Sequence, residues 1–428
     1  MGFTRLKQML QPFLQLFSNT AWMFSAEILA KLSRIFTIVV LTTSLSPISY
    51  GTAMLSLAVH DMLSFLLRAG AGSQIIQCKS EDLIGYAKNG ATIQWLICLT
   101  LATAQFFLAD LVSQMYDNAE LTELLKVMAA IYLFYPWVSV RVFLLYRANC
   151  MRWFSLRNGL CIIVENLSIA LFVLLGADIM AVAYGKIVFS LLWLFLFSFS
   201  PIKAYGLGFD AKIFKRLLRT SGQLGSSEFL RTLKMNADTF IAGKLMTPEL
   251  FGFYIFAKNA GVGLSQSIGN IFNSALFPFL CKLRRNGTLL QQQQLIYLIS
   301  TGVGLLFVAQ ALIVPLYVPI IFDAKWHATI PVVTIMCLVA LPKVIVDTYC
   351  LFQRAQEDYR NETMTCLVCL LITVSMLVIF LPKQPMEFVI VLLFGSFLWC
   401  ISLYFGTAIR AKNFTLMTLF TRRKSHEF

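Results

Sequence analysis

The stretch SAEILAKLSRIFTIVVLTTSLSPISYGT, residues 25–52, returns 201 residues later as SSEFLRTLKMNADTFIAGKLMTPELFGF, residues 226–253. The two align without gaps. Ser25 falls on Ser226, Glu27 on Glu228, Leu29 on Leu230 and Leu32 on Leu233, then Pro47 on Pro248 and Gly51 on Gly252. A fainter echo at an offset of 206 sets Pro136, Val138, Val140 and Leu145 against Pro342, Val344, Val346 and Leu351. Register kept across both stretches reads as an internal duplication. Each copy is a long apolar helix carrying charge, and that combination decides the fold class.

Of the 428 residues, 58% are apolar and 13% are charged, against about 25% charged in ordinary soluble domains. Mean hydropathy is +0.74. These values exclude a soluble enzyme, a disordered chain and a secreted disulfide scaffold. They also exclude an outer-membrane barrel, whose strands alternate apolar and polar residues. A helix crossing the hydrocarbon needs about 20 mostly apolar residues. Twelve such runs occur, near 18–43, 48–70, 89–110, 122–147, 155–176, 179–200, 222–246, 250–281, 289–315, 328–352, 363–382 and 387–409. The expected fold is therefore an all-α polytopic membrane protein of two six-helix lobes. No cleavable signal peptide is expected, since Arg5 and Lys7 precede an apolar run that holds Glu27, Lys31 and Arg34.

Lysine and arginine set the orientation. With the N-terminus cytoplasmic, inside segments hold 23 of them, and outside loops hold only Lys126, Lys244, Lys325 and Lys383. Both termini are thus expected inside, and the net charge of +14 is a topology signal with no nucleic-acid partner implied. The copies begin at spans one and seven, both entering from the same side, so they form parallel repeats. The expected domains are an N-lobe at 1–200, a basic cytoplasmic linker at 201–221, and a C-lobe at 222–428 with a basic tail. Two lobes around a central site, rocking against each other, is a transporter architecture. Pro136 and Pro342 are expected to kink spans four and ten.

Eight basic residues (Lys31, Arg34, Arg141, Lys186, Arg231, Lys234, Lys258, Lys343) and six acids (Glu27, Asp61, Glu165, Glu228, Asp238, Asp347) remain inside spans. Each costs roughly 2.5–3.5 kcal/mol at the bilayer centre, so they must pair, snorkel or line a wet cavity. Glu27, Lys31 and Arg34 fall within roughly 60° of one helix face. Glu228, Arg231, Lys234 and Asp238 fall within roughly 120° of another. The anion-binding candidates are Lys31, Arg34, Arg231, Lys234, Lys258 and Arg141, because guanidinium stays charged and its fork matches phosphate. Glu27, Asp61, Glu228 and Asp238 are candidate ion-coupling acids, because a desolvated carboxylate can load a proton near neutral pH. The structural alternative pairs Glu27 with Lys31 and Lys234 with Asp238 at helix-neighbour spacing. Glu165 and Lys186 read as a pair or as bundle-facing. No phosphate-binding loop, metal cluster or other cofactor motif is present in the sequence, and the Cys366–Cys369 CxxC lies mid-span among apolar neighbours. Only His60 lies in a span, which speaks against a histidine proton relay.

The stretch from Asn236 to Leu245, then Gly252-Phe-Tyr-Ile-Phe-Ala, then Ala275-Leu-Phe-Pro-Phe-Leu resembles the polysaccharide transporter family. Its nearest kinship is with O-antigen (Wzx-type) flippases, in the superfamily that also holds multidrug and toxin extrusion exporters. One departure is that Thr37 stands where the second copy has Asp238. The resemblance implies a non-enzymatic flippase of the bacterial inner membrane. Its substrate would be an undecaprenyl-diphosphate-linked repeat unit, coupled to a proton or sodium gradient. It implies the polymerase and chain-length regulator of the same pathway as partners. Rival readings are a multidrug antiporter of the same fold and a membrane polysaccharide polymerase, though no outside loop is long enough to build the latter's site.

Overall fold

The computed structural model describes residues 28–403, apart from 70, 149, 204, 264–268, 270, 271, 274, 275, 278, 281, 282, 285, 286 and 357. Glu27 and parts of span eight, with Ala275 and Pro278 of the family-like motif, lie outside the described residues. Among the described residues there is no strand. The first half comprises α1 (28–44), α2 (Pro47–Leu63), α3 (Phe65–Ala69), α4 (Gly72–Gln77), α5 (Leu83–Tyr116), α6 (Glu120–Ala129), α7 (Ile131–Phe134), α8 (Pro136–Arg147), α9 (Met151–Leu174) and α10 (Met180–Ser198). Then follow α11 (Ala211–Leu245), α12 (Pro248–Lys258), α13 (Gln293–Ile321), α14 (Ile330–Ala355), α15 (Tyr359–Phe380) and α16 (Pro385–Leu403).

Among the described residues, eight helices are long and apolar enough to cross a membrane, and the bent pair Glu120–Phe134 with Pro136–Arg147 makes a ninth. These correspond to expected spans two to six and nine to twelve. The bend at Tyr135–Pro136 is 57°, because proline has no N–H to give the preceding turn and its ring crowds that turn's carbonyl. The expected kink at Pro342 is different: α14 stays helical straight through that residue.

Helix α11 starts where the Asp210 carboxylate accepts from Lys212 N (2.9 Å) and Ile213 N (3.0 Å), which satisfies two otherwise unpaired donors. It then runs unbroken to Leu245. Residues 211–221, expected within a linker, are therefore continuous with span seven. Helices α5 and α11 lie parallel. At one end Asp210 N donates to Asn89 Oδ1 (2.7 Å). At the other, Tyr116 Oη donates to Phe240 O (3.1 Å) and Lys244 Nζ to Met115 O (2.6 Å). With 34 and 35 residues they are each about 50 Å long, well beyond a hydrocarbon layer of about 30 Å.

The chain divides into two compact units, Met1–Ile255 with Ile321–Asp323, and Phe256–Ile320 with Ala324–Phe428. Helix α11 and α12 as far as Ile255 thus pack with the first six spans. In that first unit the duplicated glycines meet. A Cβ on Gly51 would stand 3.1 Å from Gly252 Cα, and one on Gly252 would stand 1.9 Å from the Pro47 carbonyl oxygen. Only hydrogen fits at Gly252, so the repeated Pro-x-x-x-Gly serves to press two helix starts together, as small residues do between membrane helices. In the second unit, Phe256 stacks on Trp326 at 4.4 Å and Thr348 Oγ1 donates to Ser300 Oγ (2.9 Å). Cys366 and Cys369 are buried with Val346, Cys350 and Trp399 in one apolar cluster.

Replacing Gly252 by alanine should destabilise the purified protein by about 1–3 kcal/mol, the range for overpacking, and by more than Gly51→Ala. A thermal unfolding midpoint equal to the parent's for Gly252→Ala would refute this packing.

Candidate site: charges at membrane depth

Four helices of the first unit bring charge together. Lys186 on α10 and Glu165 on α9 form an ion pair at 2.8 Å, with side chains 25% and 10% exposed. The charges of Asp61 on α2 and Arg34 on α1 both bear on Lys186. Arg34 and Asp61 are themselves exposed, and no hydrogen bond or ion pair joins the Arg34 guanidinium to another described residue. Helix α1 is fixed beside the pair through Asn166, the residue after Glu165. Asn166 Nδ2 donates to Ser33 Oγ (2.8 Å), and Thr37 Oγ1 donates to Asn166 O (2.7 Å).

Below Asp61 lies a buried polar network that sequence reasoning did not find. His60 Nδ1 is 3.0 Å from Gln105 Oε1, Tyr132 Oη donates to that same oxygen (3.1 Å), and Gln105 Nε2 donates to Leu125 O (2.8 Å). The His60 and Tyr132 rings stack at 5.1 Å. The available signal was Gln105, an amide in the middle of an apolar run, since a buried amide requires partners. The network ties α2 to α5, α6 and α7 under the charge cluster.

On α11 the charges pair along the helix. Arg231 Nη2 is 2.8 Å from Glu228 Oε2 at i,i+3, and the arginine side chain stays 45% exposed. Such an exposed pair contributes little stability and leaves most of the guanidinium fork available. Asp238 accepts a 2.5 Å hydrogen bond from Tyr254 Oη on α12. This bond joins the acid of the first motif stretch to the tyrosine of the second, and accounts for their spacing around the Pro248 turn. The first copy has Thr37 and Ala53 in the corresponding places, and Thr37 bonds instead to Ser33 O (3.0 Å) and Asn166 O.

The remaining candidates are scattered. Lys31 and Lys234 are half-buried on α1 and α11. Lys258 ends α12 within the second unit. Arg141 Nη1 donates to Ser198 O (2.7 Å) and Phe197 O (3.5 Å) at the end of α10, where a cation meets the negative end of the helix dipole. Among the described residues, no three His, Cys, Asp or Glu side chains come together as a metal-binding group.

Residues 40–331 match the family described as "Polysaccharide biosynthesis protein". The chain belongs to that family. A relative, the lipopolysaccharide biosynthesis protein WzxC of Escherichia coli (strain K12), is 24% identical over 310 residues, covering 68% of this chain. The match spans 60% of the length of that relative. Among solved structures, the lipid II flippase MurJ in an inward closed conformation superposes with a TM-score of 0.73 at 14% identity, over 92% of this chain and 87% of MurJ. An inward-facing multidrug resistance MATE family transporter of the MOP superfamily gives 0.69 at 12% identity, over 92% and 99%. The fold is therefore the all-helical MOP-superfamily fold of a multi-pass membrane protein, and the two solved structures are named as a flippase and a transporter.

Breaking the Glu165–Lys186 pair from one side should cost roughly 3–5 kcal/mol, because the other charge stays buried without its partner. Glu165→Gln and Lys186→Met should each lower the unfolding midpoint more than the double variant does. Additive losses in the double variant would refute this.

Proposed function

We propose that the chain is a flippase carrying an undecaprenyl-diphosphate-linked O-antigen or related repeat unit from the cytoplasmic to the periplasmic leaflet of the bacterial inner membrane. The observation carrying this reading is Arg34, an exposed guanidinium on a membrane helix that makes no hydrogen bond or ion pair to another described residue. An arginine so placed is costly, and a diphosphate is the kind of ligand that offsets the cost, accepting forked hydrogen bonds from a permanently charged group. Membership of a polysaccharide biosynthesis family and likeness to a protein named as a lipid II flippase support the same class of cargo.

On this reading Arg34 and Arg231 grip the diphosphate, with Lys31 and Lys234 adding positive potential and Arg141 holding the end of α10. The lipid tail stays in the bilayer while the head group passes by alternating access. Both termini lie in the cytoplasm. Asp61, Glu228 and Asp238 are the acids that would couple the cycle to an ion gradient, with Glu27 as a fourth. The pathway's polymerase would receive the product on the periplasmic side.

The test is complementation of a strain lacking its own repeat-unit exporter. Arg34→Ala and Arg231→Ala should each cut surface glycan by at least roughly tenfold, the loss of one strong charge-assisted contact, at normal protein level. Undiminished display in both variants would sink the assignment. Binding of organic cations in preference to lipid diphosphate would transfer the protein to the multidrug antiporters.

A further inference from the structure

A cavity of about 410 Å³ opens between the α4–α5 turn and the first half of α11, lined by Gln74, Cys78, Lys79, Asp82, Tyr86 and Arg216. Its walls are fixed. Arg147 Nη1 donates to the carbonyls of Ile75 (3.0 Å), Ile76 (3.1 Å) and Cys78 (2.6 Å), which closes the end of α4. Across the cavity, the start of α11 is held on α5 by the Asn89–Asp210 bond and by Thr92 Oγ1 donating to Gly208 O (2.8 Å). Tyr86 is buried. Lys79 and Arg216, from separate elements, line the cavity together with one carboxylate, Asp82, so the lining carries one net positive charge.

The surroundings place this cavity at the level of lipid head groups. Leu207, Phe209 and Leu218 are exposed, Phe209 to 71%, and the exposed Lys212, Lys215 and Arg219 are interleaved with them. An apolar and basic surface of this kind lies in the membrane interface, its hydrophobes among the acyl carbons and its cations at the phosphates. The length of α11 carries this half beyond the hydrocarbon.

We propose that the cavity binds the head group of an anionic phospholipid, the phosphodiester held between Lys79 and Arg216 and a head-group hydroxyl donating to Asp82. One net positive charge matches a singly charged phosphodiester. A diphosphate would bring more negative charge against Asp82, so a lipid diphosphate is the poorer fit. The site is separate from Arg34 and Arg231 and does not depend on the flippase reading.

Intact-complex mass spectrometry of the full chain in detergent tests this, with phosphatidylglycerol, phosphatidylethanolamine and undecaprenyl diphosphate offered in turn. The parent protein should retain phosphatidylglycerol over phosphatidylethanolamine by at least roughly fivefold, about 1 kcal/mol. Lys79→Gln and Arg216→Gln should each abolish that preference, while Lys212→Gln with Lys215→Gln, outside the cavity, should keep it. Size-exclusion profiles show which variants fold, and Lys79→Gln, on an exposed turn, carries the test if Arg216→Gln does not. Equal retention of the two phospholipids, an equal loss in the Lys212/Lys215 variant, or undecaprenyl diphosphate displacing phosphatidylglycerol would each overturn the proposal.

Discussion

Hydrocarbon offers an ion no solvent, so every charge on a membrane helix has to be answered by another charge, by a hydrogen-bonding group or by a wet surface. The first unit answers in all three ways. Lys186 and Glu165 answer each other at 2.8 Å. Arg141 and Arg147 are spent on carbonyls at helix ends. Arg34 and Asp61 remain at an exposed surface close enough to act on Lys186. The third class can meet a ligand. Its position follows from the other two, because Asn166 and Thr37 fix α1 against the helix that carries Glu165.

The duplication shows which features the fold requires and which were free to diverge. Gly51 and Gly252 touch, and any side chain at Gly252 would collide with backbone at Pro47. The acid–hydroxyl bond between Asp238 and Tyr254 exists in one copy only. The first copy has a threonine whose hydroxyl bonds to backbone. Close approach of the helices is thus common to both repeats, whereas the charged chemistry on them is not. An asymmetric site built on a symmetric frame suits a ligand whose two ends differ.

Hydropathy made nine spans legible, since a buried or lipid-facing run needs little besides apolar residues. It was silent where charge interrupts the run. Helix α11 carries a charged stripe and a basic stretch before it, so residues 211–221 read as a linker when they are the first turns of one long helix. Pro136 and Pro342 are alike in sequence, yet only the first breaks its helix. The outcome depends on what packs against the turn before each proline, which no local pattern encodes. In the site, the residue types were legible because charge in a span is rare. Partners were less so. The Glu228–Arg231 pair has helix-neighbour spacing visible in the chain, whereas Tyr254 reaches Asp238 from the far side of a turn, and Gln105 reaches His60 from another helix.

The break at Pro136 has a mechanical side. Its first segment is glued to α2 and α5 through Tyr132, while its second segment, α8, holds the end of α10 through Arg141 and the end of α4 through Arg147. A lever so gripped cannot pivot about its fulcrum alone. Any tilt of α8 would drag two other helix ends with it, turning a local flexion into concerted motion of three helices.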